Sequence, residues 1–361
     1  LPGVTGAYGR PGGGALLATA ADFGLDYAVV RTPSGPRTTR TVNHSRLGDA
    51  LLHLDGPPVR ALFVASNNPA VTCPDAGAVR RGLLREDLFT VVHDPFLSDT
   101  ARYADLVLPA ATYLETEDIF RAYGTYYLQR SVAVLPPRGE AWSNLRLAQT
   151  LARRLGLTDT VFSMSVDELI AALFRGATGP VAEIDPETLL ARGPVKLRRT
   201  PGQRFGTPSG KLEFYSEHLA RAGGPAFPDW TEAAEDPTPR ARWPLRLLTA
   251  PGYYQSHTAF AGVAVLRARE GGPVCVLHPD EAARRGLRAG DAVELWNDRG
   301  RMRAALRVSD EVTPGVALVP GQPPAVADEH GGVNLLCSDR YSDLGEGATY
   351  QSTWLDVRSL S

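Results

Sequence analysis

Two adjacent amides, Asn67 and Asn68, follow the apolar run Ala61-Leu62-Phe63-Val64-Ala65, and His93 and Asp94 close a second apolar run that starts at Leu88. These residue types suit recognition of a flat polar ring. An amide presents donors and acceptors side by side, and a carboxylate accepts a pair of N–H groups. A purine edge, guanine in particular, offers the matching set. The same residues serve equally well as turn formers bonded to local backbone, so both readings stand at this point.

Other chemistry is thinly represented. The glycines of GAYGRPGGG (6–14) have no strand before them, so they make a poor dinucleotide fingerprint, and no Walker, HExxH or GxSxG sequence occurs. His44, His53, His93, His218, His257, His278 and His330 are scattered without ligand spacing. Cys73, Cys275 and Cys337 are too few and too far apart for a disulfide framework, a zinc site or an iron–sulfur site. Read residue by residue, this is a ligand-binding protein without a self-contained catalytic constellation or a metal site.

The elements that must position these groups follow from periodicity. LGDALLHL (47–54) and AVRRGLLRE (78–86) read as helices; VRALFVAS (59–66), LFTVVHD (88–94) and DLVLPA (105–110) read as strands, with a helical turn at SDTARYA (98–104). That alternation predicts a parallel α/β sheet, and the apolar character of its strands predicts cover on both faces. Ligands of such sheets bind beyond the carboxyl ends of the strands, where Asn67, His93 and Asp94 lie. SNLRLAQTLARRLGL (143–157) predicts a helix packed on that sheet. From about 175 to 243 the chain reads as connecting segment, interrupted at TPSGKLEFYSE (207–217) by a short strand through Leu212 and Phe214. Beyond Pro244 come short strands LRLLTA, VCVLHP and VTPGVALVPG, a small helix PDEAARRGL, and a hairpin DAVELWNDRGRMRAALRVSD (291–310). Together they predict a β-barrel.

The 361-residue length fits two domains, and 43% hydrophobic residues suffice for their cores. A net charge of −2 gives no reason to expect nucleic acid, and no apolar stretch is long enough to span a bilayer. The chain starts at Leu1 rather than Met, which leads us to expect a fragment of a longer protein, with any targeting signal upstream.

The order of motifs is itself informative. TGAYGRPGGG, SNNPAVTCPD, VVHDPFLSDTARYADLVLPAATYLETED, PPRGEAWSN and TPSGKLEFYSE, followed by LRLLTAPGYYQSHTAF, HPDEAARRGLRAGDAVELWNDRG and VNLLCSD, resemble the C-terminal half of the dimethyl-sulfoxide-reductase superfamily. The resemblance implies a parallel-sheet Rossmann-like α/β domain over 1–195, a connecting segment over 196–243, and a small double-psi β-barrel over 244–361. It implies a molybdenum or tungsten cofactor, bis-molybdopterin guanine dinucleotide, that performs two-electron redox on a small-molecule substrate.

By the same resemblance, Asn67, His93 and Asp94 would meet a guanine or ribose, and Thr116 and Asn144 would lie near the nucleotide end. Thr249, Gly252, Ser256, His257 and Thr258 would wrap the pterin and pyrophosphate, with backbone N–H groups around Gly252 facing an anion. Gln322, Asn334 and Gln351 would add contacts. The metal ligand, and the cysteines of any [4Fe–4S] cluster, would lie upstream, which would leave this segment inactive by itself. An electron donor or acceptor protein is a further expected partner. The alternatives are a cofactor-free scaffold of the same fold within an electron-transfer complex, and a free-standing nucleotide-binding α/β protein.

Overall fold

A computed structural model of the chain describes all residues except 9, 16–22, 32–38, 122, 199–204, 228, 230–241, 322–330 and 361. Its helices, in chain order, are α1 (Ala28–Arg31), α2 (Leu47–His53), α3 (Pro69–Thr72), α4 (Ala76–Leu83) and α5 (Asn144–Arg154). They continue with α6 (Val166–Arg175), α7 (Pro186–Arg192), α8 (Glu217–Arg221), α9 (Ala264–Glu270) and α10 (Pro279–Arg284). Strands β1 (Ala61–Ala65), β2 (Phe89–Asp94) and β3 (Leu106–Pro109) form a parallel sheet in that order. Strands β4 (Asp118–Arg121), β5 (Tyr127–Ser131) and β6 (Val195–Lys196) form a small antiparallel sheet. Strands β7 (Leu245–Ala250), β8 (Val274–Leu277), β9 (Ala292–Trp296), β10 (Arg301–Val308), β11 (Val316–Pro320) and β12 (Thr353–Ser359) close a barrel.

The chain forms two compact units, and neither is continuous in sequence. One comprises Leu1–Thr38 with Ala111–Thr231, the other Thr39–Ala110 with Glu232–Ser361. The parallel sheet and the barrel therefore share a unit, which differs from the sequential division at 195 and 243. Polar groups account for their union. Asn334 Nδ2 donates to the carbonyls of Val71 (2.8 Å) and Thr72 (3.1 Å), and Tyr350 Oη donates to Thr72 O at 2.9 Å. These bonds satisfy carbonyls that the short helix α3 leaves open at its end.

In the barrel, β10 alternates as its sequence demands. Met302, Ala304 and Leu306 point inward while Arg301, Arg303 and Arg307 face out. The inward residues join Leu245, Leu247, Cys275, Leu277, Val293, Leu295, Ala317, Val319, Leu355 and Val357 in one core. Strand β7 runs parallel to β11, and β8 parallel to β10; the remaining pairs are antiparallel.

The parallel sheet departs from expectation on one face. Val64 and Val92 are buried with Ala101, but Phe63, Phe89 and Leu106 on the opposite face are 46%, 54% and 44% exposed. The strands are apolar on both faces, but this second face is open at Phe63, Phe89 and Leu106 and closed at its carboxyl end, where His93 is 2% exposed.

Three further expectations change in the first unit. Helix α5 belongs to this unit rather than to that of the parallel sheet, and packs on the 160–163 turn, where Gln149 Nε2 donates to Met164 O at 2.7 Å. The segment expected to be connecting carries α7 and β6, and Leu189 of α7 is fully buried with Phe23, Leu128 and Val181. No strand forms at Leu212 and Phe214. Thr207 Oγ1 donates to Lys211 O (2.6 Å) and Ser209 N to Glu213 Oε1 (3.0 Å), so the turn's side chains take the backbone groups a ladder would use.

Candidate functional site

At the carboxyl end of β1 the chain turns through Ser66, whose φ of 53° lies in the left-handed region. The two asparagines beyond it have different jobs. Asn68 is buried, and its Oδ1 accepts from Thr100 N (3.0 Å) and Thr100 Oγ1 (2.7 Å); Thr100 Oγ1 in turn accepts from Ala70 N (3.1 Å). This lock ties the β1 turn to the 100–103 turn. Asn67 is only half-buried. Its Oδ1 accepts from Asn68 N (2.8 Å) and Thr72 Oγ1 (3.2 Å), and its amide nitrogen lies 2.9 Å from His44 Nε2. The same ring nitrogen is 3.4 Å from Cys73 Sγ, a buried thiol whose pKa desolvation pushes up to about 12. Such a thiol stays protonated at neutral pH, which makes it a poor nucleophile.

At the end of β2, His93 is 2% exposed, and neither of its ring nitrogens has a hydrogen-bond partner among the described residues. Leaving such a buried group unpaired costs about 1–3 kcal/mol. Asp94 beside it accepts Phe96 N at 2.9 Å through Oδ1, which sets the turn that follows. The ring of Phe96 lies against Gly262, where an added Cβ would sit 3.1 Å from Cδ1. The turn after β2 thus reaches the barrel loop that follows β7.

That loop is built from mutual polar contacts. Thr249 N donates to Gln351 Oε1 (3.1 Å), and Gln351 Nε2 returns bonds to Thr249 O (2.8 Å) and Oγ1 (3.0 Å). Beyond it the backbone N–H groups of Tyr253 and Tyr254 both point at one carboxylate, Glu270, at 3.1 and 2.6 Å. Gly252 lies against this carboxylate, and a Cβ there would fall 2.5 Å from Glu270 Oε1, so a side chain at 252 would push the carboxylate aside. Gln255 is buried with an unpartnered Oε1, while Ser256 and His257 are exposed, His257 at a left-handed φ of 54°. Thr258 is half-buried, and its carbonyl accepts Ala261 N at 3.4 Å.

The structure thus brings Asn67, His93, Asp94, Thr249, Gly252, Ser256, His257, Thr258 and Gln351 into one unit, at strand ends and the loop they adjoin. Asn334 shares that unit, but its amide donors are committed to α3. Thr116, whose Oγ1 donates to Thr112 O at 3.3 Å, and Asn144, at the start of α5, belong to the other unit. Its neighbour Glu115 is held below the usual carboxylate range by the N–H groups of Thr112 and Arg138. Gln322 lies outside the described residues. Sequence reasoning did not single out His44, Gln255 or Glu270. Glu270 did leave a trace, since an acid in the last turn of a helix opposes the helix dipole.

Comparison with known proteins decides the family. Residues 5–154 match Molybdopterin oxidoreductase, and residues 245–354 match the Molydopterin dinucleotide binding domain. The chain belongs to the dimethyl-sulfoxide-reductase superfamily of molybdopterin oxidoreductases. It is 37% identical to "Probable oxidoreductase YoaE" of Bacillus subtilis (strain 168), covering 100% of this chain and 53% of that protein. With the dimethyl sulfoxide/trimethylamine N-oxide reductase of Rhodobacter capsulatus it shares 31% identity over 84% of this chain and 42% of that one. The chain therefore spans about half the length of the curated relatives it matches. Among solved structures, acetylene hydratase from Pelobacter acetylenicus superimposes with a TM-score of 0.69 at 22% identity, over 88% of this chain and 47% of that one. That likeness is one of fold.

Proposed function

We propose that this chain is the cofactor-holding C-terminal part of a molybdenum or tungsten enzyme that carries bis-molybdopterin guanine dinucleotide and performs two-electron redox on a small substrate. The observation that carries this reading is His93, a buried ring with two unpartnered nitrogens at a strand end beside Asp94. A hydrogen-bonding ligand would relieve that cost, and a guanine or ribose edge has the required groups. Asn67 and Asp94 would recognise the same end. The amide pair of Tyr253 and Tyr254, with Thr249, Gly252, Gln255, Ser256, His257 and Thr258, would hold the pterin and pyrophosphate arm. Gln351 would act through Thr249, and Thr116, Asn144, Gln322 and Asn334 stand as further proposed contacts.

When bound, the metal group supplies the redox chemistry, while the residues of this chain bind and orient it and exclude water. The three cysteines are free and buried, and no group of three metal-ligating side chains occurs among the described residues. We therefore place the metal ligand, and the cysteines of any [4Fe–4S] cluster, in the part of the relatives that this chain does not cover. By itself the chain should be inactive. Two parallel pairs within an otherwise antiparallel six-stranded barrel support the double-psi reading. Three parallel strands with helices on one face support the Rossmann-like reading, and the start of the second family match at 245 supports a sequence boundary near 243.

A second reading, a cofactor-free scaffold, draws support from Glu270, because its carboxylate already occupies the amide pair. Metal analysis together with guanine release by acid hydrolysis, on the full-length protein purified from its host, separates the two. The first reading expects molybdenum or tungsten with guanine near two per metal, and less guanine in Asp94→Ala; absence of both would leave the scaffold.

A further inference from the structure

Glu270 closes α9, a helix with no buried residue. Local electrostatics favour a cation at that position rather than an acid, and Arg267 and Arg269 are indeed in the same turn. The carboxylate instead reaches back across the mouth of the barrel, where β7 and β11 end side by side, joined by Gly321 N donating to Ala250 O at 2.9 Å. There it takes two successive backbone N–H groups, those of Tyr253 and Tyr254, one to each oxygen. Glycines flank it on both sides. A Cβ at Gly252 would sit 2.5 Å from Oε1, and one at Gly321 3.4 Å from the same atom. Gly321 is held at a left-handed φ of 77°, and at Gly252 the nearest atom is the movable end of Glu270 itself, so the carboxylate sits close to the backbone without being locked there.

Two adjacent N–H groups converging on one anion form an oxyanion receptor. We propose that the Glu270 carboxylate is a displaceable internal occupant of this receptor, standing where a phosphate or pyrophosphate oxyanion binds, and that it swings out when that ligand enters. The inference rests on the proposed role of the loop as the holder of a pyrophosphate arm, and adds to it the residue that competes. While the ligand is away, Glu270 keeps the loop in its receiving shape and keeps both donors satisfied. Once it leaves, the guanidinium of Arg269, which lies 5.9 Å from the ring of Tyr254, remains beside the receptor to favour an anion.

The competition is measurable without any catalytic assay. Inorganic pyrophosphate is titrated into the 361-residue chain and into Glu270→Ala and Glu270→Gln, with affinity read by calorimetry. Losing the competing carboxylate should tighten pyrophosphate binding by about tenfold or more in Glu270→Ala, as expected when one charge-assisted contact is exchanged for another. Glu270→Gln, which retains the shape and one acceptor, should fall between. Equal affinity in all three proteins would leave the loop as an anion site but overturn displacement by Glu270. Weaker binding in the variants would make Glu270 a support for the loop and overturn the inference as well. No binding to any of them would overturn both the inference and the assignment of the loop to a pyrophosphate arm. Amide exchange at Tyr253 and Tyr254 in the unmodified chain provides an independent reading. Those amides should be protected before pyrophosphate is added and stay protected at saturation. Exposure of these amides before addition would overturn the inference.

Discussion

Neighbouring residues of one type can have separable roles, and Asn67 and Asn68 offer a direct test. Asn68→Ala leaves Thr100 N without its acceptor inside the fold, so it should cost about 1–3 kcal/mol of stability in urea unfolding. Asn67→Ala removes a half-exposed side chain and should cost under about 1 kcal/mol, while lowering guanine retained by the full-length protein. If both variants were equally destabilised, the division of labour would fail. A second residue-scale expectation concerns pH. Burial raises the thiols of Cys73, Cys275 and Cys337 to about 12. Between the ordinary thiol pKa and that value the unfolded chain has lost protons that the folded chain still holds. Stability is therefore full below about pH 9 and falls as pH rises, by about 1.4 kcal/mol per pH unit for each thiol. Thermal melts between pH 8 and 10.5 should show the decline, and Cys73→Ala should make it shallower.

Elements were legible where one pattern ran long enough to declare itself. The 291–310 hairpin alternates cleanly, and its strands pair as Arg301 with Trp296 through Ala305 with Ala292. The 47–54 and 78–86 helices and the three parallel strands were readable for the same reason. Strands β4 to β6 were not, because Leu128 is the one fully buried side chain among their described residues and the rest of their pattern is weak. Strand β12 alternates, with Leu355 and Val357 inside, but nothing in one strand names its neighbours, β7 and β9. At the site, amides and acids at strand ends could be read from the sequence, whereas the Glu270 contact spans 16 residues and depends on how a loop folds back. The Asn334 clamp on α3 is an element-scale device and carries its own prediction. Asn334→Ala should cost about 1–3 kcal/mol, because it frees Val71 O from its partner. Tyr350→Phe should cost less, since Thr72 O keeps the Asn334 bond, and the double variant should exceed either alone. Urea titration of the three proteins measures this directly.

At the scale of the whole chain, the open face of the parallel sheet is an apolar surface among the described residues. Phe63, Val91 and Leu106 stand in one cross-strand row, with Phe89 two residues before Val91 on the same face. A hydrophobic dye should bind the native chain there, and Phe63→Ser with Leu106→Ser should lower its fluorescence with little change in melting temperature. Undiminished dye signal would mean the apolar surface being sensed lies elsewhere. The division into units has another consequence, one of timing. Ribosomes deliver the β1–β3 segment before the Ala111–Thr231 stretch that belongs to the other unit, and only afterwards the barrel. At roughly 5–20 residues per second, that intervening stretch of about 120 residues takes on the order of 6–24 s to synthesise. Throughout that interval the nascent sheet waits without the Asn334 and Tyr350 bonds to α3, a window in which holdase chaperones would find their substrate.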